Sequence, residues 1–459
     1  MHSPPPRGLE PWPRDLEVHP RRVAAQARRA RIVEAARQRF IEFGLGGATT
    51  RDIARAADVP ESSMFRHFSS KDELFEEAIA AHLEEILRSA RQDDVSNLAG
   101  AASESARLAA LRGMHRHYLE VMERALPVLG AAMFSEREVG REIYRARVHP
   151  LLAEMGEESV RAMVGWANER ADGHTMIFLA FGGYLLLSLD AYFGGTPIDH
   201  RGTAERLAWL IQYGVRGRPS GPLEPDVPGA APPVAEPPST SMRSPALTPS
   251  RPDRSTRVRR ERSDALANRV RLLDAAREQF FARGFGGATT REIAKAAGTT
   301  ESALYRHFSS KEQLFHDAVG VRLQEIINAG LAATETELAH LSGDDERLRV
   351  LRGQHLHYLK VIEQTAPLLG AALFSERDAG IQLYRSIIAP FLDRMTEATR
   401  EAMIPWADDR ADARTLILVA VGGYLLISLD AYFREATIDH DAVADRIAWL
   451  LYYGVAGRA

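Results

Sequence analysis

The sequence predicts an all-α protein made of two copies of one domain-sized unit. Apolar residues recur at helical spacing, helix-capping signals recur between them, and no long stretch alternates as a β-strand would. The residues from about 28 to 218 return 240 positions later without insertion or deletion, so that Arg51 matches Arg291 and Trp166 matches Trp406. Solenoid units have only about 20–50 residues, so each copy is a complete fold.

Composition limits what the chain can be. It has 459 residues, no cysteine and a formal net charge of −4, which excludes disulfides, thiolate zinc sites and cysteine nucleophiles. The N-terminus has no apolar signal core, and the most apolar stretch, 175–193, is interrupted by glycines, a serine and an aspartate. We therefore expect a soluble cytoplasmic protein that does not enter a membrane.

A segment rich in proline, serine and alanine separates the two units and is expected to be a flexible linker. About 45 residues of coil reach roughly 35–40 Å, enough for the units to dock side by side. The expected organisation is a disordered N-terminal arm (1–22), a short helical domain (23–80), a longer helical domain (81–215), the linker (216–262), and second copies of the short domain (263–320) and of the longer domain (321–459).

The first helix of each unit has an apolar stripe and ends at a glycine, Gly44 or Gly284. A capping box predicts the second helix, which starts at Thr49 or Thr289 and extends to about Ala57 in the first unit. A third helix is expected over 61–67 and 301–307, and serines at 70 and 310 cap a fourth. Two short helices joined by a tight turn form a helix-turn-helix. The turn residue must tolerate a positive φ, which Gly298 does more easily than Asp58.

The rest of each unit is also helical. A long helix is expected around 104–124, a break at Pro127 (Pro367 in the copy), helices from 134 to about 167, and two apolar helices near 173–193 and 200–215. The segment GGYLLLSLDAYF and the helix after it are expected to form half of a four-helix interface that the other unit completes. A membrane helix is the alternative, and Asp190 argues against it.

Positive charge is concentrated in the helix-turn-helix segments. Residues 21–58 contain nine arginines against four acidic residues, a net charge of +5, and residues 254–298 contain eleven basic against five acidic residues, a net charge of +6. Such charge in a chain that is acidic overall favours contact with the DNA backbone. The arginines before each first helix could reach a minor groove or remain a disordered charged flank.

The stretch TTRDIARAA–turn–ESSMFRHFSSKDELF (49–75) resembles the DNA-binding domain of the tetracycline-repressor (TetR) family, and the apolar C-terminal helices resemble its dimerisation helices. The resemblance implies that 23–80 and 263–320 are DNA-binding domains and that 81–215 and 321–459 are ligand-binding and dimerisation domains. It also implies a dimer of units that binds a palindromic operator and releases it when a small ligand binds the C-terminal domain. A single chain would then supply both DNA-binding heads as a pseudo-dimer. The residues that the resemblance assigns to DNA are Thr50, Arg51, Ser62, Ser63, Phe65, Arg66, His67 and Lys71 in the first unit, and Thr290, Arg291, Ser302, Ala303, Tyr305, Arg306, His307 and Lys311 in the second.

The heads differ where they should read bases. Pro60 replaces the helix-capping Thr300, and Phe65 lacks the hydroxyl of Tyr305. Ser63 stands where the second unit has Ala303, and these positions, with the neighbouring serines, are expected to decide specificity. We expect the second head to bind more strongly and the operator to be an imperfect palindrome.

A ligand pocket is expected beside the proline break of each unit, lined by aromatic and a few polar residues. The candidates are His117, Tyr118, Glu123, Phe134, Tyr144 and Trp166, and their copies His357, Tyr358, Glu363, Phe374, Tyr384 and Trp406. Simple core packing of the aromatics is the alternative. His115 and His117 lie on different helix faces, so no metal site is expected, and no cofactor.

Three other functions remain open from the sequence. An enzyme is disfavoured because no glycine-rich phosphate loop, zinc pattern or nucleophile elbow is present. A small-molecule sensor with degenerate heads, acting through a protein partner, would explain Asp58 and Pro60. A dimer of two chains would carry four heads.

Overall fold

The computed structural model describes residues 20–89, 98, 100–101, 103–134, 136–217, 254–321, 341, 343–374 and 377–456. Every regular element within these residues is helical, and the two units repeat the same order of helices. The predicted all-α class and the predicted tandem of two units are confirmed. Most of the predicted linker and of the N-terminal arm lies outside the described residues.

The first unit has eight helices among its described residues. They are α1 (Pro20–Gly47), α2 (Thr50–Ala56), α3 (Glu61–Met64), α4 (Lys71–Phe75, a π-helical turn Glu76–Ala80, and Ala81–Ser89), α5 (Glu104–Phe134), α6 (Arg137–Ile143, a π-helical turn Tyr144–Val148, and His149–Met163), α7 (Gly173–Leu189, ending in a π-helical turn Asp190–Gly194) and α8 (His200–Tyr213).

The second unit repeats this order. Its helices are α9 (Arg254–Gly287), α10 (Thr290–Ala296), α11 (Glu301–Leu304), α12 (Lys311–Phe315 and a π-helical turn His316–Gly320), α13 (Asp344–Phe374), α14 (Arg377–Leu383, a π-helical turn Tyr384–Ile388, and Ala389–Met403), α15 (Ala413–Arg434) and α16 (His440–Tyr453). Helix α9 begins at Arg254, inside the segment expected to be linker.

The helix starts follow the sequence signals. The side chain of Thr49 accepts a hydrogen bond from the backbone N–H of Asp52 at 3.1 Å, and Ser70 does the same for Glu73 at 3.0 Å. The expected capping of α2 and α4 is therefore observed. These bonds satisfy N–H groups that have no partner within the helix itself.

The expected break at Pro127 is wrong, because α5 runs through it from Glu104 to Phe134, and α13 runs through Pro367. A proline within a helix removes one hydrogen bond and costs about 3 kcal/mol. Ala125, Leu126 and Val128 on either side of it are buried. We attribute the continuity to this packing, which offsets the lost hydrogen bond.

The two units pack against each other mainly through α7 and α15, which cross at glycines. A Cβ built on Gly182 would lie 2.2 Å from the carbonyl carbon of Gly422. Because no side chain separates the two backbones at this crossing, the two helices approach each other closely there. Helices α8 and α16 complete the interface.

The chain segments after α8 and α16 exchange backbone hydrogen bonds with the opposite unit. The N–H of Val215 donates to the carbonyl of Leu451 at 2.9 Å, and the N–H of Val455 donates to the carbonyl of Ile211 at 2.8 Å. These reciprocal bonds give the pair of units the local twofold pattern of a dimer.

Two helices are long and apolar enough to cross a membrane, Gly173–Gly194 and Ala413–Arg434. Within the protein, 67% and 83% of their most apolar windows are buried. Most residues of these two windows therefore lie inside the protein.

Candidate nucleic-acid interface

Each helix-turn-helix is held by a small apolar core. Ile53 and Ala54 of α2 are buried, as are Met64 of α3 and Phe68 just after it. The turn places Asp58 at φ 53° in the first unit and Gly298 at φ 69° in the second. Both turns have the same left-handed geometry, and only the first imposes it on a residue with a side chain.

The exposed face of α3 carries three of the expected DNA contacts. Ser62 and Arg66 are exposed, and Phe65 at the end of the helix is 48% exposed although it is a large apolar residue. The copy presents Ser302, Tyr305 at 49% exposure, and Arg306. His67 and His307 are half-buried. A protruding aromatic ring suits apolar contact with a thymine methyl group, and an arginine beside it suits hydrogen bonds to base edges in the groove.

Ser63 and Ala303 do not lie on this face. They are only 3% and 4% exposed. The Ser63 hydroxyl accepts a hydrogen bond of 2.8 Å from the guanidinium of Arg66. The burial of both side chains contradicts their expected role in base reading, because α3 turns them toward the core of the head.

The threonine expected to contact a phosphate at the start of α2 is hydrogen-bonded to a carboxylate in the structure, and so is its copy in the second unit. The hydroxyl of Thr50 donates to Glu61 at 2.5 Å, and that of Thr290 donates to Glu301 at 2.5 Å. Arg51 and Arg291 beside them are exposed. These glutamates were not among the residues expected at the DNA surface. The signal for them in the sequence is a threonine and a glutamate eleven residues apart in both units.

A second hydroxyl joins this site in the second unit only. Tyr305 donates to the hydroxyl oxygen of Thr290 at 3.4 Å. Phe65 stands at the corresponding place in the first unit and has no hydroxyl to donate. The heads therefore differ at one hydrogen-bonding group on the surface expected to meet DNA.

The two lysines at the start of the fourth helices turn toward their own heads. The ammonium of Lys71 donates to the carbonyl of Leu45 at 2.7 Å, and that of Lys311 lies 4.3 Å from the ring centre of Phe285. Their charges tie the fourth helix to the end of the first.

Helix α1 includes part of the N-terminal basic segment. Arg22 and Arg28 are exposed on it. Arg29 instead pairs with Glu77 and lies 4.7 Å above the ring of Phe68, so it is bound within the head. The side chains of Arg21 and of the arginines at 257, 259, 260 and 262 are outside the described residues.

The first unit contains an apolar cavity of about 60 Å³. Its lining residues come from α4, α5, α6 and α7, with one from α15 of the other unit. They are Leu87, Tyr118, Val121, Met122, Ala125, Leu129, Val148, Leu151, Leu152, Met155, Phe181, Leu185 and Leu426. Tyr118 is the only one of the six expected pocket residues of this unit that lines it.

Several of the other candidates serve the interface between the units instead. The rings of Phe134 and Phe374 stack with centres 5.7 Å apart. The Tyr144 hydroxyl donates to Asp430 at 2.9 Å, and the Tyr384 hydroxyl donates to Asp190 at 2.9 Å. The expected pocket of each unit does not include these residues, because they reach across the interface.

The remaining candidates are held within their own units. Glu123 pairs with His200 at 2.9 Å, and Glu363 pairs with His440 at 2.8 Å. The indoles of Trp166 and Trp406 donate to backbone carbonyls one turn earlier. The ring of Tyr358 stacks on Tyr424, and His117 and His357 pack edge-on against the tyrosines that follow them.

The buried histidine of each unit is His115 or His355. Nδ1 of His115 contacts the Tyr184 hydroxyl, and His355 contacts Tyr424 in the same way. Burial lowers the pKa of His115 to about 3 and that of His355 to about 4. Both imidazoles are therefore neutral at pH 7. The described part of the chain has no cluster of histidine and acidic residues able to hold a metal ion.

Arg137 is exposed, and it also spans the two units. Its guanidinium lies 5.5 Å from the ring centre of Phe281 on α9 and 5.7 Å from that of Tyr432 on α15. A helix of the first unit thus touches the second head.

Comparison with known proteins identifies relatives of each unit. Residues 32–78 and 272–318 match the bacterial regulatory proteins of the tetR family. The chain is similar to the HTH-type transcriptional regulatory protein RaaS of Mycobacterium tuberculosis, at 31% identity over 169 residues that cover 36% of this chain and 73% of that protein. It is also similar to the HTH-type transcriptional regulator AcrR of Shigella flexneri, at 34% identity over 26% of this chain and 53% of that protein. The HTH-type transcriptional repressor BepR of Brucella suis is 25% identical over 37% of this chain and 83% of its own length. Each match covers less than half of the chain, as expected if each relative corresponds to one of its two units.

Proposed function

The chain belongs to the tetR family of bacterial regulatory proteins, and we propose that it binds an imperfect palindromic operator as a single-chain pseudo-dimer. DNA-binding transcriptional regulation follows from the family. In the proposed mechanism the bound chain represses transcription in the cytoplasm, and a small apolar molecule releases it from DNA. The relatives are regulators and not enzymes, and we assign no catalysis.

The observation that carries the pseudo-dimer is the interface between the units. Gly182 and Gly422 bring two backbones into contact, and Tyr144 and Tyr384 make equal hydrogen bonds across to Asp430 and Asp190. Reciprocal contacts of this kind are those of a twofold dimer. Because both halves come from one chain, two heads are present at a fixed ratio without a second molecule.

We assign DNA contacts to exposed and half-buried residues of each head. Ser62, Phe65 and Arg66, and Ser302, Tyr305 and Arg306, would face base edges, with His67 and His307 beside them. Thr50, Arg51 and Lys71, and Thr290, Arg291 and Lys311, would face the backbone. Thr50 and Thr290 would have to exchange their glutamate partner for phosphate.

We assign the effector to the cavity of the first unit. The lining is apolar apart from the Tyr118 side chain, so its chemistry suits an apolar or aromatic molecule. At about 60 Å³ the cavity would have to widen as such a molecule enters. In the proposed organisation, residues 23–80 and 263–320 are DNA-binding domains. Residues 81–215 and 321–459 sense ligand and pair with each other.

The test is selection of bound sequences from random duplex DNA by the full-length protein at about physiological salt, because affinity depends steeply on salt. We expect two unlike half-sites about one helical turn apart. The mass of the complex should correspond to one 50.8 kDa chain per operator. A mass of two chains per operator would show a dimer with four heads in place of the pseudo-dimer. If no DNA sequence is enriched, the alternative of a small-molecule sensor that acts through a protein partner is favoured.

Matched variants separate backbone contacts from base contacts. Replacing Arg51 and Arg291 by alanine should weaken binding equally on all sequences and flatten the salt dependence. Replacing Ser62 and Ser302 by alanine should change the selected sequence while the salt dependence remains. Identical effects of the two pairs would contradict the assignment.

A further inference from the structure

The two DNA-binding heads touch each other directly, at paired glycines. Gly46 and Gly47 end α1, and Gly286 and Gly287 end α9. A Cβ built on Gly46 would lie 2.8 Å from the Cα of Gly287, and one built on Gly286 would lie 2.7 Å from the Cα of Gly47. Each distance is too short for any real carbon contact, so neither position can carry a side chain while the heads stay together.

Backbone conformation does not explain these glycines. None of the four is among the glycines with positive φ, whereas Gly44 and Gly284 just before them are. An L-residue could adopt the backbone of either pair without strain. The opposite head is what excludes a side chain at Gly46 and Gly286, so these glycines serve the contact between the heads.

The charges near the contact are compensated. Both heads are basic, and like charges within a Debye length of about 8 Å repel. Arg39 of the first head pairs with Glu42 at 3.0 Å, and Arg283 of the second pairs with Glu292. These ion pairs reduce the repulsion where the two helices end side by side.

We propose that this glycine contact, Gly46–Gly47 against Gly286–Gly287, holds the two heads at one separation and so makes the protein select operators by the spacing of their half-sites. The proposal rests on the proposed function as a two-headed operator-binding protein. One base pair added between half-sites shifts the second site by about 3.4 Å and rotates it by roughly a tenth of a turn. Heads joined only through their bodies could follow that change, but heads in backbone contact cannot.

Two adjacent alanine variants provide a matched test. Gly286→Ala places its Cβ 2.7 Å from the Cα of Gly47 and 2.9 Å from the carbonyl oxygen of Phe43, all across the contact. Gly287→Ala places its Cβ 3.5 Å from the Cα of Gly46, an ordinary contact, and 3.3 Å from the Cβ of Arg283 in its own head. Only the first substitution should force the heads apart.

The experiment measures affinity for the selected operator and for versions with one base pair more or fewer between the half-sites. For the native chain and Gly287→Ala we expect the altered spacings to bind at least about tenfold more weakly, as for a lost base contact. For Gly286→Ala we expect the affinities for the three operator spacings to differ by less than about threefold, because the separated heads can reach both half-sites at each spacing. Equal spacing preference in native chain and Gly286→Ala, or no preference in the native chain, would overturn the proposal.

A second measurement does not need DNA. The chain has no cysteine, so Asp72→Cys and Glu312→Cys place one spin label on each head at exposed equivalent positions. A narrow distance distribution that broadens with Gly286→Ala supports the contact, and an unchanged distribution refutes it. If Gly286→Ala does not fold, the milder Gly47→Ala, with its Cβ 3.2 Å from the Cα of Gly286, takes its place. A native chain that binds no selected duplex would refute the proposed function, while the label distances still decide whether the heads are joined.

Discussion

The carbonyl carbon of Gly422 lies only 2.2 Å from the point where a Cβ on Gly182 would be, so no residue other than glycine fits at position 182. Gly422 is constrained in the same way by the carbonyl group of Gly182, with its own Cβ position 2.1 Å from the oxygen. The two units therefore meet backbone to backbone at the centre of their largest interface. Glycine in a helix normally costs stability relative to alanine. Here close packing between helices offsets that cost.

Replacing Gly182 by alanine should destabilise the protein by about 2–3 kcal/mol, because overpacking against an immovable backbone costs that much. The free energy of unfolding from urea titration is the measurement. The helices would have to separate before the new methyl group could fit.

The control is Gly113→Ala within α5, where a Cβ would meet no described atom within 4 Å. Since alanine is the better helix former by up to about 1 kcal/mol, this change should leave stability unchanged or raise it slightly. Of the two Gly→Ala changes, only Gly182→Ala should thus lower the free energy of unfolding. A destabilisation of similar size in both would mean that the contact between α7 and α15 is not the cause.

The first head should gain stability from Asp58→Gly and the second should lose it from Gly298→Asp. Asp58 has φ 53° and Gly298 has φ 69°, and a left-handed residue with a side chain costs on the order of 1 kcal/mol. Native-state hydrogen exchange of amides in α2 and α10 reports each head separately. Protection should rise in α2 with the first change and fall in α10 with the second. Parallel changes in both heads would contradict the argument.

The hydroxyl of Tyr305 should make the second head the stronger binder. It lies 3.4 Å from the Thr290 hydroxyl at the start of α10, where a DNA phosphate is proposed. Tyr305→Phe should weaken binding to an isolated half-site by about 0.5–1.5 kcal/mol, the usual value of one hydrogen bond. Phe65→Tyr should strengthen the first head by a similar amount. Equal half-site affinities in the native chain, or no response to either change, would refute the claimed asymmetry.

Local signals in the sequence were sufficient for the helix starts and for the helix-turn-helix. Thr49 and Ser70 cap helices through neighbours three residues away, so their roles depend on nothing distant. The break expected at Pro127 is absent because the rule that proline interrupts a helix takes no account of tertiary packing. Its helix is held by contacts with helices far away in the chain.

The candidate pocket could not be predicted for the same reason. Tyr144 and Asp430 are 286 positions apart, and only the pairing of the units brings them together. The sequence gives no sign of why Gly46 is a glycine. Its backbone conformation is ordinary, and only atoms of the other head exclude a side chain at this position. What the repeat did predict, correctly, is that each unit has the same order of elements.

Acid should destabilise the protein through its two buried histidines. The pKa values of His115 and His355 are lowered from 6.5 to about 3 and about 4, so the unfolded chain takes up protons that the folded chain does not. This contribution to stability is complete above about pH 6.5 and is lost as the pH falls toward 4. With about 1.4 kcal/mol per proton and pH unit, the loss between pH 7 and 5.5 should be about 2 kcal/mol.

The check is the free energy of unfolding at several pH values for the native chain and for the double variant His115→Gln, His355→Gln. The variant loses contacts with Tyr184 and Tyr424, so its absolute stability falls. Its dependence on pH in this range should nevertheless be much flatter. An equally steep slope would assign the acid sensitivity to other groups.

The cavity of the first unit should be removable by one substitution that the second unit already contains. Leu151 lines the cavity, and Phe391 is buried at the same place in the second unit. Leu151→Phe should fill much of the 60 Å³ and raise the free energy of unfolding by about 1 kcal/mol, since empty volume costs about 24 cal/mol per Å³. Leu151→Ala should enlarge the cavity and destabilise the protein by about 2–3 kcal/mol.

Melting temperatures with a panel of small aromatic and acyl compounds then test the ligand assignment. A compound that stabilises the native chain and releases its operator should act on Leu151→Ala but not on Leu151→Phe, whereas equal action on both would place the effector elsewhere.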